Sequence, residues 1–185
     1  AANLYILMKP HNIKEEEFKG KSVAVINQSS CTACETCKTL CRFNAIKENN
    51  GSYTVDGYSC DGCTLCQIAC PVSAIEMREQ IVGKWFISDT KFGDFVHAKL
   101  IPGAENSGNL VTMVRHQAKI LAEDKKISTI LIDGPPGIGC PVTSSISGTD
   151  LTILVTEPTH SGISDLDRIF RLTEHFGIKS GIVIN

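Results

Sequence analysis

The most constraining feature of the sequence is a cysteine motif that occurs twice. Residues 31 to 42 read CTACETCKTLCR, which places four cysteines at C-x2-C-x2-C-x3-C spacing. The spacing recurs from residue 60, and each cysteine of the second copy lies 29 residues after its partner in the first. Ala45-Ile46 and Ala74-Ile75 repeat at the same offset. The repeat indicates an internal duplication of a small unit with pseudo-twofold symmetry.

The number and context of the cysteines favour metal ligation over disulfide bonds. The chain has nine cysteines among 185 residues. Disulfide frameworks are typical of short exported chains with an even number of cysteines. Here the number is odd, and the first residues, AANLYILMKP, lack the basic and long apolar regions of a secretory signal. We therefore expect metal-bound cysteines in a reducing cytoplasm.

The spacing within each copy suits a cubane iron–sulfur cluster. Three cysteines three residues apart on a tight loop can hold three irons, and the fourth points away and reaches the other cluster. The predicted ligand sets are a first set of Cys31, Cys34, Cys37 and Cys70, and a second set of Cys60, Cys63, Cys66 and Cys41. Zinc is the alternative, but structural zinc sites usually pair two C-x2-C halves across a longer gap. A third cysteine at this spacing is surplus for zinc and needed for [4Fe–4S].

Residues 26–78 resemble a bacterial two-cluster ferredoxin. CDGCTLCQIACP fits the family pattern, including Pro71 after the fourth cysteine. The first copy departs from it, because Arg42 stands where proline is usual, which removes a rigid turn residue but no ligand. ENNGSYTVDGYS between the copies predicts a hairpin.

The chain from residue 108 onwards alternates helix and strand patterns. GNLVTMVRHQAKILAEDKK and ISDLDRIFRLTEHF carry apolar residues at helical spacing, and Gly177 suits a helix end. The apolar runs ISTILID, LTILV and GIVI suit buried parallel strands, and SVAVI (22–26) is a further strand candidate. The alternation predicts an α/β fold with a parallel sheet covered on both faces.

The loop after ISTILID is the expected location of ligand chemistry in that sheet. Ligands bind beyond the carboxyl ends of the strands in open parallel sheets. Asp133 lies at this edge, where a carboxylate can hold Mg²⁺ through water, and Gly137 offers a backbone N–H to a γ-phosphate. An aspartate after a strand is also common as a turn residue or helix cap. The residues alone leave both interpretations open.

Residues 130–185, from ILIDGPPGIGCPV to GIVIN, closely resemble the MinD/ParA group of P-loop ATPases, in particular members with a ferredoxin insertion. GKWFISDT and the following residues to NLVTMVR resemble the same branch. By position, Asp133 matches the Walker B aspartate, Gly137 the switch glycine, and Asn185 the asparagine that hydrogen-bonds adenine. The resemblance implies ATP and Mg²⁺ as cofactors, Asp133 as the catalytic residue, and a homodimer or paired ATPase subunit.

The same resemblance implies the domain organisation. An incomplete P-loop NTPase-like α/β body would comprise residues 1–25 and 79–185. The inserted α+β ferredoxin-like domain, with two [4Fe–4S] clusters, would comprise residues 26–78.

The phosphate-binding P-loop of that family is not found in the sequence. It requires G-x4-G-K-[ST], and Gly20-Lys21-Ser22 is preceded five residues earlier by Glu15 rather than glycine. We interpret this segment as a turn with a solvated charge run. We expect the chain to be an internal fragment or a natural protein whose P-loop half is absent or separate. As given, it should not hydrolyse ATP.

Two classes of function follow. One is an ATPase whose nucleotide state is coupled to electron transfer between the clusters and a redox partner protein. The other is an electron-transfer or cluster carrier or assembly protein without ATPase activity. The net charge of -2 gives no reason to expect a nucleic acid partner, and no apolar run approaches the roughly 20 residues of a membrane span. Cys140, the ninth cysteine, is expected to be a small buried residue.

Overall fold

A computed structural model describes residues 4–104 and 108–185. Two compact units are present: a cysteine unit of residues 17–84 and 100–104, and an α/β unit of residues 4–16, 85–99 and 108–185. The cysteine unit is wider than the expected segment of 26–78.

The elements in chain order are α1 (Leu4–Met8), β1 (His11–Ile26), α2 (Thr36–Leu40), β2 (Ile46–Asn49), β3 (Ser52–Val55), α3 (Leu65–Ile68), β4 (Ile75–Thr90), β5 (Gly93–Leu100), α4 (Gly108–Asp124), α5 (Cys140–Ile146), β6 (Leu151–Thr156), α6 (His160–His175) and β7 (Lys179–Ile184).

The cysteine unit contains the predicted hairpin. β2 and β3 pair antiparallel, with Ile46 opposite Val55 and Asn49 opposite Ser52. Asn50 and Gly51 between them both have positive φ, at 51° and 77°. Such residues suit the tight turn that matches strand twist in a two-residue hairpin.

The repeated Ala-Ile pairs lie in the core of this unit. Ala45 and Ala74 are 1% and 3% exposed, and Ile46 and Ile75 are also buried. Ala45, Ile46 and Ile75 pack in one cluster with Val23, Ala24, Ile26, Tyr53 and several of the cysteines. The duplicated pairs therefore place the start of β2 and of β4 against the residues that carry sulfur.

The segment with Gly20-Lys21-Ser22 is a strand rather than the expected turn. It lies within β1, a neighbour of β4 in a three-stranded sheet of order β1-β4-β5. A Cβ at Gly20 would collide with the side chain of Val82, so this glycine serves the close packing of the two strands. The charges of residues 14–17 do not prevent a strand because their side chains are exposed.

The α/β unit contains a parallel strand pair joined by a crossover helix. β6 and β7 pair in register from Leu151 opposite Lys179 to Thr156 opposite Ile184, and α6 connects them. Thr173 of α6 is fully buried, and its hydroxyl accepts a hydrogen bond of 2.7 Å from the Ser180 hydroxyl of β7. The β–α–β arrangement expected for residues 151–184 is present.

The helices α4 and α5 pack closely together. A Cβ at Gly108 would come within 2.7 Å of Ser144 Oγ. The guanidinium of Arg115 donates to the carbonyl oxygens of Ser144 and Ser147, the latter at 2.8 Å. These carbonyls lie at the end of α5, where a cation satisfies unpaired acceptors and complements the helix dipole.

The expected strand ISTILID is not a strand. Residues 127–133 have no regular structure, and Leu131 is 94% exposed. The described part of the α/β unit therefore has a two-stranded parallel sheet, and Ile153, Val155 and Val183 are exposed instead of covered on both faces. An apolar run forms a strand only when a neighbouring strand completes its hydrogen bonds. A P-loop NTPase body is not confirmed.

β4 and β5 form a hairpin that carries a buried polar cluster. Ser88 is fully buried; its hydroxyl donates to Asn12 Oδ1 at 2.8 Å and lies 3.1 Å from His97 Nε2. The His97 ring stacks on Phe86 and Phe95. Burial lowers the pKa of His97 below its ordinary value.

No helix in the described ranges is long and apolar enough to cross a membrane.

Candidate metal centre

The two cysteine loops repeat in backbone conformation as well as in sequence. Three pairs of residues with positive φ stand 29 positions apart: Ala33 and Gly62 at 54° and 74°, Glu35 and Thr64 at 65° and 64°, and Asn44 and Ser73 at 53° and 51°. Successive turns of this kind direct backbone N–H groups into a concavity that suits an anionic group, including iron–sulfur sites. The duplication has therefore kept one loop shape with different side chains.

Each loop begins at an Asx turn. Asn27 Oδ1 accepts from the Ser29 N–H at 3.0 Å, and the equivalent Asp56 Oδ1 accepts from the Tyr58 N–H at 3.0 Å. The first cysteine of each copy then donates its N–H to the carbonyl of the same turn residue, Cys31 to Asn27 at 3.1 Å and Cys60 to Asp56 at 3.0 Å. Hydrogen bonds from Ser59 and Tyr58 lower the pKa of Asp56 and keep it an acceptor.

These turn residues were not singled out in the sequence. Asn27 and Asp56 each stand four residues before the first cysteine of their copy. Extending the 29-residue offset beyond the cysteines would have revealed them, because Asx side chains favour such turns.

Backbone hydrogen bonds link each copy of the motif to the other copy. The N–H of Asn27 donates to the carbonyl of Ala74 at 2.8 Å, and the N–H of Asp56 donates to the carbonyl of Ala45 at 2.7 Å. Each loop is thereby anchored to the segment that follows the fourth cysteine of the other copy. This linkage brings the fourth cysteine of one copy towards the first three of the other.

Two cavities result, each lined by four cysteines. The first cavity is lined by the whole first set, Cys31, Cys34, Cys37 and Cys70. The second cavity is lined by the whole second set, Cys41, Cys60, Cys63 and Cys66. The structure thus brings the cysteines together in the crossed grouping predicted from the spacing.

The geometry suits a group with several metal atoms. Within residues 4–104 and 108–185, no three His, Cys, Asp or Glu side chains converge on a point as ligands of one ion would. The cysteines instead surround a volume. Ala74 donates its N–H to Cys70 Sγ at 3.2 Å, and the Cys34 thiol donates to Thr36 Oγ1 at 3.4 Å. The cavities and donors fit two [4Fe–4S] clusters.

Burial and hydrogen bonding perturb three of the thiols. Burial raises the pKa of Cys37 and of Cys66, equivalent positions in the two copies, and the N–H of the next residue opposes it in both. The hydrogen bond with Thr36 lowers the pKa of the exposed Cys34. Metal ligation requires thiolates, so binding at the buried positions depends on a metal to replace their protons.

The residues assigned to nucleotide binding lie in the α/β unit. Asp133 and Gly137 are exposed in the loop before α5, and Gly137 has a positive φ of 93°. Asn185 follows β7, and its N–H donates to the carbonyl of Thr156 at the end of β6. Asn185 therefore lies at a carboxyl strand edge as expected, whereas Asp133 follows irregular chain instead of a strand. Cys140 is exposed rather than buried.

Comparisons with known proteins support the metal centre directly. Residues 24–77 match the family described as "4Fe-4S dicluster domain". The chain contains an iron–sulfur domain. Because the match includes both cysteine copies, it confirms the prediction of a [4Fe–4S] domain.

Similarity outside the dicluster domain is weaker. An uncharacterized protein of Methanocaldococcus jannaschii is 29% identical over all 185 residues, which span 63% of that protein. A second uncharacterized protein of this organism is 33% identical over 61% of the chain and 40% of its own length. The septum site-determining protein MinD of Bacillus subtilis is 32% identical over 48% of the chain and 32% of its own length. The chain spans less than two thirds of each of these relatives.

Proposed function

We propose that the dicluster domain binds two [4Fe–4S] clusters in the crossed sets and passes electrons to and from a redox partner protein. The observation that carries the proposal is the lining of the two cavities, each by three cysteines of one copy and the fourth of the other. Bound clusters would supply one-electron redox chemistry at low potential.

The protein's own residues position and protect the centres. The left-handed residues of each loop form turns of the kind that direct backbone N–H groups towards an anion, and buried Cys37 and Cys60 each line one cavity. Cys34 and Cys63 are exposed and form the outer side. One exposed sulfur in each set leaves a short path to the surface for an electron.

The test is metal content and ligand variants, with every protein purified anaerobically. The wild-type chain is expected to contain about eight irons and eight sulfides, and to show two interacting reduced centres by EPR. Cys31→Ala and Cys70→Ala, alone or together, should each remove the same one cluster. Cys31→Ala combined with Cys41→Ala should remove both.

The pattern of losses discriminates between the alternatives. If the Cys31/Cys70 double variant loses both clusters and the Cys31/Cys41 variant loses one, the sets are not crossed. Zinc in place of iron would contradict the proposal altogether. Cys140→Ala, in the α/β unit, is the matched control and should leave the iron content unchanged.

We further propose that in the whole protein the centres are coupled to ATP and Mg²⁺ held by a MinD-like body, with Asp133, Gly137 and Asn185 at the nucleotide and two such subunits paired. The partial similarity to MinD supports this. The expected result is that Asp133→Asn abolishes ATP hydrolysis by the whole protein with its iron content intact. Unchanged hydrolysis would contradict the role of Asp133. Absence of hydrolysis by the wild-type whole protein would favour the second candidate, an electron carrier or cluster-assembly protein without ATPase activity.

A further inference from the structure

The two cysteine loops share a pattern of backbone turns and differ in their side chains. The positive-φ residues of the two loops correspond pair by pair, as do the N–H groups that follow Cys37 and Cys66. The residues that the duplication has changed are therefore one source of difference between the two sites. The two copies therefore allow the effects of different side chains to be compared at two cysteine sites of one kind.

Two hydrogen bonds involve the sulfurs of the first set. The Cys34 thiol donates to Thr36 Oγ1 at 3.4 Å, and the N–H of Ala74 donates to Cys70 Sγ at 3.2 Å. A ligating cysteine is a thiolate and has no proton, so the Thr36 hydroxyl is then the donor. Both bonds stabilise negative charge on the first set.

The second set lacks the equivalents of both bonds. The position of Thr36 is occupied in the second copy by Leu65, which cannot donate. Among the residues that the structure describes, the N–H of Ala45, the counterpart of Ala74, makes no hydrogen bond to Cys41 Sγ. Apart from the cysteines, the lining of the second cavity is also more apolar: its polar residues are Asp61 and Thr64, whereas those of the first cavity are Thr32, Glu35, Thr36 and Tyr53.

The formal charges near the two cavities do not offset the difference in hydrogen bonding and polarity between them. Each cavity has one carboxylate in its lining, Glu35 in the first and Asp61 in the second. Glu35 is paired with the Lys38 ammonium at 3.4 Å. Arg42 follows Cys41, but its side chain is exposed and water and ions screen it.

We propose that the first set holds its cluster at a higher reduction potential than the second set, and that the Thr36 hydroxyl is a determinant of the difference. Hydrogen bonds to the sulfurs and a polar surrounding favour the reduced, more negative state, and an apolar surrounding disfavours it. The inference rests on the proposed binding of two clusters. The first electron added to the protein would reside at the first set.

The test is a redox titration followed by EPR, on anaerobically purified protein shown beforehand to contain about eight irons. Thr36→Val should lower the higher of the two midpoint potentials. The equilibrium constant for reduction of that cluster should fall by up to about tenfold, which corresponds to about 59 mV for one electron. Thr36→Ser keeps the hydroxyl and should retain the wild-type value. Leu65→Thr, the reciprocal change, should raise the lower midpoint.

The control is Thr39→Val, an exposed threonine of the same helix, which should leave both midpoints unchanged. Movement of the lower midpoint by Thr36→Val, or of the higher one by Leu65→Thr, would overturn the assignment, as would two coincident wild-type midpoints. These results would leave two bound clusters in place. Failure of the proposed function is distinct, because the chain would then contain iron for one cluster or none.

Discussion

The contact between Gly62 and Ser22 provides a quantitative test of how the second cysteine loop is built. Gly62 has a φ of 74°, and a Cβ added to it would lie 2.5 Å from the carbonyl oxygen of Ser22. Gly62→Ala therefore introduces both backbone strain and a collision with the main chain. Gly51 in the β2–β3 turn has a similar φ of 77° and nothing within 4 Å of the added Cβ. Gly51→Ala introduces the strain alone.

The expected magnitudes follow from these two terms. A non-glycine residue in the left-handed region costs about 1–2 kcal/mol. The reduced entropy of the unfolded chain offsets about 0.4–1 kcal/mol of this. Displacing a packed main-chain oxygen adds about 1–3 kcal/mol, as overpacking does. We expect Gly51→Ala to destabilise the domain by about 1 kcal/mol and Gly62→Ala by about 2–4 kcal/mol.

The assay is thermal unfolding of the anaerobic, iron-loaded protein, followed by cluster absorbance. One kcal/mol corresponds to about 4–8 °C for a unit of this size, so the two variants should be well separated. Ala33, the equivalent of Gly62 in the first copy, has a φ of 54°, and Ala33→Gly should be neutral or stabilising by up to about 1 kcal/mol. Equal midpoints for Gly51→Ala and Gly62→Ala would refute the role of the Ser22 contact.

Three further predictions concern the α/β unit. Burial lowers the pKa of His97 in the folded protein. As the pH drops below about 6.5, the unfolded state therefore takes up the proton first, and the free energy of unfolding should fall. The fall should level off below the folded-state pKa. His97→Gln should flatten this dependence in urea unfolding between pH 5 and 8, whereas the control His175→Gln, at an exposed histidine of α6, should leave the dependence unchanged. Arg115→Met removes the donor to the α5 carbonyls and should cost about 1–2 kcal/mol in the same assay, and an unchanged midpoint would contradict the capping role. Thr173→Val removes the buried hydroxyl between α6 and β7 and should cost about 1–3 kcal/mol, with exposed Thr112→Val as control; equal effects of the two changes would contradict it.

The sequence predicted most accurately the features that depend on local spacing. The grouping of the cysteines around the two cavities follows from three close residues and one on a diverging turn, and the hairpin follows from alternating residues flanked by Gly51 and Gly57. The helix over 160–175 and the strands on either side follow from apolar periodicity. Each of these signals lies within about 20 residues of chain, where composition and structure are closely linked.

The features that depend on distant partners were predicted less well. Residues 127–133 have the composition of a buried strand, yet composition does not state whether a neighbouring strand is present. Residues 14–22 have the sequence of a turn with a solvated charge run, and they form a strand because β4 lies beside them. The roles of Asp133, Gly137 and Asn185 stay predictions for a similar reason, because a nucleotide site needs groups from several strands at one edge.

Each copy supplies the fourth cysteine of the other copy's cavity. A cut of the chain at the exposed turn of Asn50 and Gly51 would therefore affect both sites. Each fragment would carry three cysteines of one cavity and only the fourth of the other, so neither would hold a complete site. The hydrogen bonds from Asn27 to Ala74 and from Asp56 to Ala45 would both join one fragment to the other. The halves would therefore be complementary pieces that reassemble around iron, although no continuous backbone connects them.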